Sequence, residues 1–309
     1  MGGKMRRQHI RAATFLFALL LIVGAVTPIA PMMIWLLPAP LLYMWLYGER
    51  VWVMILCLMT ALLTLFGGSM AYLAIPVIIS AVIAATVGEA WRRGQFPLMP
   101  LAVGTIVTVG MSVFFMGLSF ALYGFSIPNE MGQEVKQMIL QHAFVQAESD
   151  SINLKVMAND YQSMIQHDFP SILVMVCFLI IFANVYLVRQ RFAKHDQSKN
   201  WNASFADWKL PVSVVWLSLG SFVLSYVNWP NDLTILPILM ENVMMLSSFF
   251  LALQGLSLIW RAISRYHIGK WSMLAIVASS MFHIVWLVYI AFGIFDCFVQ
   301  NQRNSKRNK

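Results

Sequence analysis

The chain has 309 residues, 60% of them hydrophobic and 11% charged, with a net charge of +8 and a mean hydropathy of +0.71. Soluble domains carry about 45–50% apolar and about 25% charged residues, so the bilayer has to solvate most of this surface. The excess positive charge sits in short stretches flanking apolar runs, the positive-inside pattern, which argues against nucleic-acid binding.

Nine apolar segments can be followed in chain order. The first, about 12–29, comes after a basic start (Lys4, Arg6, Arg7, Arg11). Its length, and the spans that follow at once, predict an uncleaved helix rather than a signal peptide. The second, 31–47, holds Pro31, Pro38 and Pro40 and should be kinked or partly unwound. The third covers about 51–67 and the fourth 70–87, with Pro76 inside it. The charged turn GEAWRRG (88–94) then leads to the fifth, about 101–124.

The segment 125–168 is hydrophilic, with six acids against Lys136 and Lys155. Val135, Met138, Ile139 and Val145 recur near helical spacing, as do Met157, Tyr161, Met164 and Ile165. The pattern predicts an amphipathic helical hairpin between the fifth and sixth spans, lying on the outer membrane surface, solvated, or forming a lid. The sixth span is about 170–188, followed by a basic loop. The seventh is 211–228, opened by Pro211, which suits a first helical turn. The eighth lies within Leu233–Trp260, and the ninth is about 271–294. A basic polar tail covers 295–309, and its QNQRNSKRNK stretch (300–309) is expected to be disordered.

The expected fold is thus all-α and polytopic: a single membrane domain over 1–309, with five spans in 12–124, an extracytoplasmic segment at 125–168 and four spans in 170–294. Counting Lys and Arg near helix ends places the N-terminus in the cytoplasm of a cell with a plasma (inner) membrane. Arg92–Arg93, the 189–209 loop and the 261–270 loop fall on the same side, and the acidic 125–168 segment outside. The tail alone disagrees. Nine crossings put Arg303, Lys306, Arg307 and Lys309 outside, and eight helices remain the alternative if one segment is re-entrant.

Leu233–Trp260 is the stretch around which the chain is organised. It is long enough to cross the bilayer, yet it carries polar groups that need partners where water is absent. Glu241 lies about 30 Å along the helix before Arg261, near the outer interface. Gln254 lies about 10 Å before Arg261, with Ser247 on its face, a pairing suited to interhelical hydrogen bonding. Asn242 projects about 120° away from Gln254. His283 falls near the middle of the expected ninth helix, where a histidine can relay protons, bind solute or bond a neighbouring helix. Asn242, Gln254, His283 and Glu241 are therefore candidate substrate contacts, with packing as the competing role. Asp296 can pair with an arginine or cap its neighbour. Glu89, Arg92 and Arg93 form a compact charged turn that can dock a cytoplasmic partner or mark the inner interface.

Cys57, Cys177 and Cys297 lie in or beside apolar runs without CxxC spacing and read as packing residues. The chain has no GxxxxGK[ST], HExxH, GxSxG or Cys/His metal spacing. No catalytic residue, metal or cofactor is indicated.

FADWKLP (205–211) opens a span, QGLSLI (254–259) ends one, and GIFD (293–296) closes the last. In order and overall length these stretches resemble the YybS-like bacterial membrane proteins, a family of unknown function. That family is distantly similar to the substrate-binding components of energy-coupling-factor transporters. The resemblance implies a small-solute-binding membrane subunit, without its own ATPase, that docks with a separate coupling subunit and ATPases. Those components have six helices and an AxxxA motif in the first. Here Ala81 and Ala85 have that spacing only in the fourth span. The expected function is transport-related, with the solute unspecified. A membrane scaffold or assembly factor is the alternative, and an enzyme acting on a lipid-linked substrate is a third.

Overall fold

A computed structural model describes residues 3–26, 35–66, 73–93, 98–143, 151–192, 205, 208–227, 229–230, 235–265 and 283–307. The described residues form helices and no strands. In chain order the helices are α1 (Gly3–Val26), α2 (Pro38–Leu46), α3 (Arg50–Phe66), α4 (Ala74–Arg93), α5 (Met99–Tyr123), α6 (Ile127–Ala143), α7 (Ser151–Phe192), α8 (Ser213–Ser225), α9 (Ile235–Arg265) and α10 (His283–Arg307). Five contain stretches long and apolar enough to cross a membrane: Ala74–Arg93, Met99–Tyr123, Lys155–Gln190, Ile235–Ile263 and Ile284–Gln302. Shorter apolar helices cover Ile10–Val23, Arg50–Leu63 and Ser213–Ser225.

The chain divides into two compact units, Met1–Phe125 with Val176–Trp201, and Ser126–Met175 with Asn202–Lys309. In the first, α2 packs against α1, α3 and α4. It has nine residues, about 14 Å of helix, less than half the roughly 30 Å hydrocarbon core. The expected second span is therefore a short buried helix within the described residues. Pro38 and Pro40 sit in its first turn, where a missing N–H costs nothing, and Leu37, Leu41, Leu42 and Met44 are fully buried. Gly48, at φ 88, makes the turn into α3. Gly104 lets α5 close on its neighbours: a Cβ there would stand 2.7 Å from side-chain carbons of both Val87 and Ile181. Gly124, left-handed at φ 66, ends α5, its N–H bonded to Phe120 O at 2.8 Å.

In the second unit, α6 lies antiparallel to the first part of α7. Asn129 Oδ1 accepts from Gln166 Nε2 at 3.2 Å, and Gly132 abuts Gln162. The segment 125–168 does not end where the sixth span begins. α7 runs unbroken for 42 residues with Pro170 inside it, about 63 Å, or twice the hydrocarbon thickness.

α9 packs against both α8 and α10. With α8 it is antiparallel, since Leu210 meets Gln254 while Val215 packs with Leu251. With α10 it is parallel. Phe249 stacks on Trp286, Gly255 crosses at Gly293, and Arg261 pairs with Asp296, so the partner number rises with the residue number. A Cβ on Gly255 would overlap the Tyr289 carbonyl oxygen, and one on Gly293 the Leu251 carbonyl oxygen. Only glycine at both positions lets the backbones approach this closely.

This arrangement corrects three expectations for the end of the chain. The last helix is described over His283–Arg307 and runs past 294, where the last span was expected to end; the first part of that expected span, 271–282, lies outside the described residues. The tail is helical through Arg307 rather than disordered. Parallel packing also sets Arg303, Lys306 and Arg307 at the same end of the pair as Arg261 and Arg265, so the tail no longer conflicts with the charge rule. Cysteines introduced singly at Arg265 and Ser305, with the native cysteines removed, should react with an impermeant maleimide from the same face of sealed vesicles. Pro230→Cys, between α8 and α9, should react from the other. Labelling of 265 and 305 from opposite faces would contradict the parallel pair.

Candidate functional site

α9 carries two polar sites, each built around a side-chain amide. Asn242 is buried, at 7% exposure, against the turn of α7 that contains Pro170. Ser171 N–H donates to Asn242 Oδ1 at 3.0 Å, and Asn242 Nδ2 donates to His167 O at 2.9 Å. These two backbone groups would bond each other in an unbroken helix. Proline removes one donor from this turn and crowds it, and the asparagine amide offers a partner to both groups. Ser171 Oγ–H also donates to Asn242 Oδ1.

Gln254 repeats the arrangement toward the other end of α9. It is fully buried. Its Oε1 accepts from Leu210 N–H at 3.1 Å, and its Nε2 donates to Trp208 O at 3.2 Å. Residues 208–211, the approach to α8, are not helical, so their backbone groups need partners from elsewhere. Gln254 Nε2 also donates to Asp296 Oδ2. The same oxygen accepts from Arg261 Nη2 and from Gln300 Nε2 at 2.6 Å. Asp296 is 4% exposed, and a carboxylate so buried is tolerable only with this density of donors. Residues 254 and 261 lie two turns apart on one face, which aims both at Asp296. Trp208 and Leu210, Gln254, and Asp296 thus meet at one cluster.

The other sequence candidates lie elsewhere. Asn242 and Gln254 are twelve residues apart, about 18 Å along α9, and bond different helices. Ser247 bonds its own helix, at Met244 O. Glu241 is exposed. His283 is the first described residue of α10, and its side chain and the residues before it lie outside the described residues. In the first unit, Glu89 accepts from Arg50 Nη2 at 3.0 Å and lies 3.9 Å from Arg93. Arg50 stands over the Trp45 ring, and Arg92 and Arg93 are exposed. Among the described residues no group of three or more His, Cys, Asp or Glu could hold a metal ion.

Sequence reasoning passed over Ser171 and Pro170, the turn of α7 that Asn242 bonds. The proline was a visible signal, but the backbone partners at 167, 208 and 210 carry none.

A family model described as predicted membrane protein (DUF2232) matches residues 15–297. No curated protein matches the chain, and no solved structure does.

Asn242→Ala should destabilise the protein by about 1–2 kcal/mol, measured by thermal unfolding in detergent. Pro170→Ala should relieve most of that loss, because Ser171 and His167 can then bond each other, giving a coupling of about 1 kcal/mol in a double-mutant cycle. Asp296→Ala should cost toward the low end of the about 3–5 kcal/mol typical of a broken buried pair, since Arg261 is partly exposed. Asp296→Leu combined with Arg261→Met should recover much of it by the same measurement.

Proposed function

The chain belongs to the predicted membrane protein family DUF2232, and from that premise we propose that it is a non-catalytic scaffold or assembly factor of the plasma membrane, with its N-terminus in the cytoplasm. One observation carries this reading. The amide groups of Asn242 and Gln254 are committed to neighbouring backbone at two places about 18 Å apart, so these side chains serve the packing of helices. A solute site needs polar groups that converge and can exchange a neighbour for a ligand. The long α7, which joins the 125–168 segment to a span without a break, supports the same reading. It would couple a partner bound at the outer face directly to the membrane helices.

The second reading is the small-solute-binding subunit that docks with separate coupling and ATPase subunits. It is favoured by the charged turn at the end of α4, where Glu89 is tied to Arg50 while Arg92 and Arg93 stay exposed. A docking surface of that kind presents fixed charge at the membrane edge.

Affinity purification of the tagged protein from native membranes in mild detergent tests both. Recovery of a membrane or extracytoplasmic complex without ATPases is the expected result. Stoichiometric ATPase subunits and a coupling protein would favour the transport subunit instead, and a partnerless protein would sink both readings. In the transport case, Arg92→Glu with Arg93→Glu should lower ATPase recovery at least several-fold. In the scaffold case the same change should leave the outer partner bound.

A further inference from the structure

We propose that the basic end of the second unit is a headgroup site for anionic phospholipid. The parallel pairing of α9 and α10 brings two basic helix ends side by side. Candidate membrane-crossing stretches end at Ile263 in α9 and at Gln302 in α10. The pairings of Phe249 with Trp286 and of Gly255 with Gly293 put those two endpoints at one depth. Arg265 follows the first directly, and Arg303, Lys306 and Arg307 follow the second on the continuing helix. α8 is antiparallel to α9 and starts at the same end, where Lys209 is exposed.

Two further features fit a headgroup. The first is charge. Asp296, the acid at this end among the described residues, is already bonded to Arg261, Gln254 and Gln300. Lys209, Arg265, Arg303, Lys306 and Arg307 are five bases, and Asp207, outside the described residues, is the one acid near them in sequence. The second is an aromatic layer. Phe205 lies 6.0 Å from Trp260 and 6.2 Å from Trp208, centroid to centroid, and rings of this kind settle at headgroup depth. Bases clustered just past a span, at the level of an aromatic belt, meet the phosphates of acidic lipids before any other anion. Four bases fall within the last seven residues of the chain and no acid does, a density that reads as acidic-lipid binding when it directly follows a span.

Spin-labelled lipids test the proposal on the full-length protein reconstituted in phosphatidylcholine. The motionally restricted fraction of labelled phosphatidylglycerol should exceed that of labelled phosphatidylcholine by several-fold at low salt and fall as salt is raised. The variant carrying R265Q, R303Q, K306Q and R307Q should bring the ratio to about one. If that variant fails to fold, as judged by helicity and gel filtration, R303Q, K306Q and R307Q alone should lower the ratio, because they lie beyond the crossing stretch. An unchanged preference in the variants would overturn the proposal. So would equal restriction of the two lipids by the unaltered protein. Displacement of the labelled phosphatidylglycerol by millimolar inorganic phosphate would overturn it in favour of a soluble anion.

Discussion

Inside the hydrocarbon core every polar group has to find its partner within the protein, because water is not there to supply one. α9 meets that requirement twice by the same chemistry. A side-chain amide carries a donor and an acceptor at a fixed spacing, as a peptide unit does. Asn242 offers the pair to Ser171 N–H and His167 O, in the turn that holds Pro170. Gln254 offers it to Leu210 N–H and Trp208 O, in the non-helical approach to α8. Serine has no amide to match such a pair, and an ionised aspartate can only accept. The two buried amides of α9 are therefore tied to irregular places in neighbouring backbone, a proline-containing turn and a non-helical approach, which are tolerable because the amides are there.

The Gln254 site depends on a second constraint. Asp296 can be buried only if Gln254 and Arg261 reach it, and they reach it because Gly255 and Gly293 let two backbones come into contact. A methyl group at either glycine would meet a carbonyl oxygen and push the helices apart. The carboxylate would then lose donors from α9 while staying in a poorly solvated place, where breaking one partner of a buried pair is costly. Close packing and electrostatics are thus a single device, with the glycines setting the distance at which the charge is satisfied.

Much of this was legible in the sequence. The apolar runs identified a membrane protein, and the polar residues within Leu233–Trp260 identified the helix on which both sites are built. Asp296 was left open between pairing and capping, and the structure pairs it with Arg261. The end of the last helix was misjudged because hydropathy marks where a helix leaves the hydrocarbon and not where it stops. From Ile294 to Arg307 the chain has neither proline nor glycine, so nothing breaks the helix as it turns polar. In the second segment Pro38 and Pro40, read as a kink in a span, begin a short buried helix, while Pro31 lies outside the described residues.

The direction of α10 could not be read from alternation of spans. Counting crossings assumes that each apolar run reverses the chain relative to the one before it, and nine such runs left the tail on the side that its charge disfavours. The contacts resolve that conflict without changing any charge assignment. Phe249 with Trp286, Gly255 with Gly293 and Arg261 with Asp296 can be satisfied together only by parallel helices, because an antiparallel pair crossing at the glycines would set Asp296 about 13 Å from the level of Arg261. The basic tail then shares an end with the other bases of the unit. The positive-inside tendency was informative where it contradicted the span count, and the span count was the weaker of the two arguments.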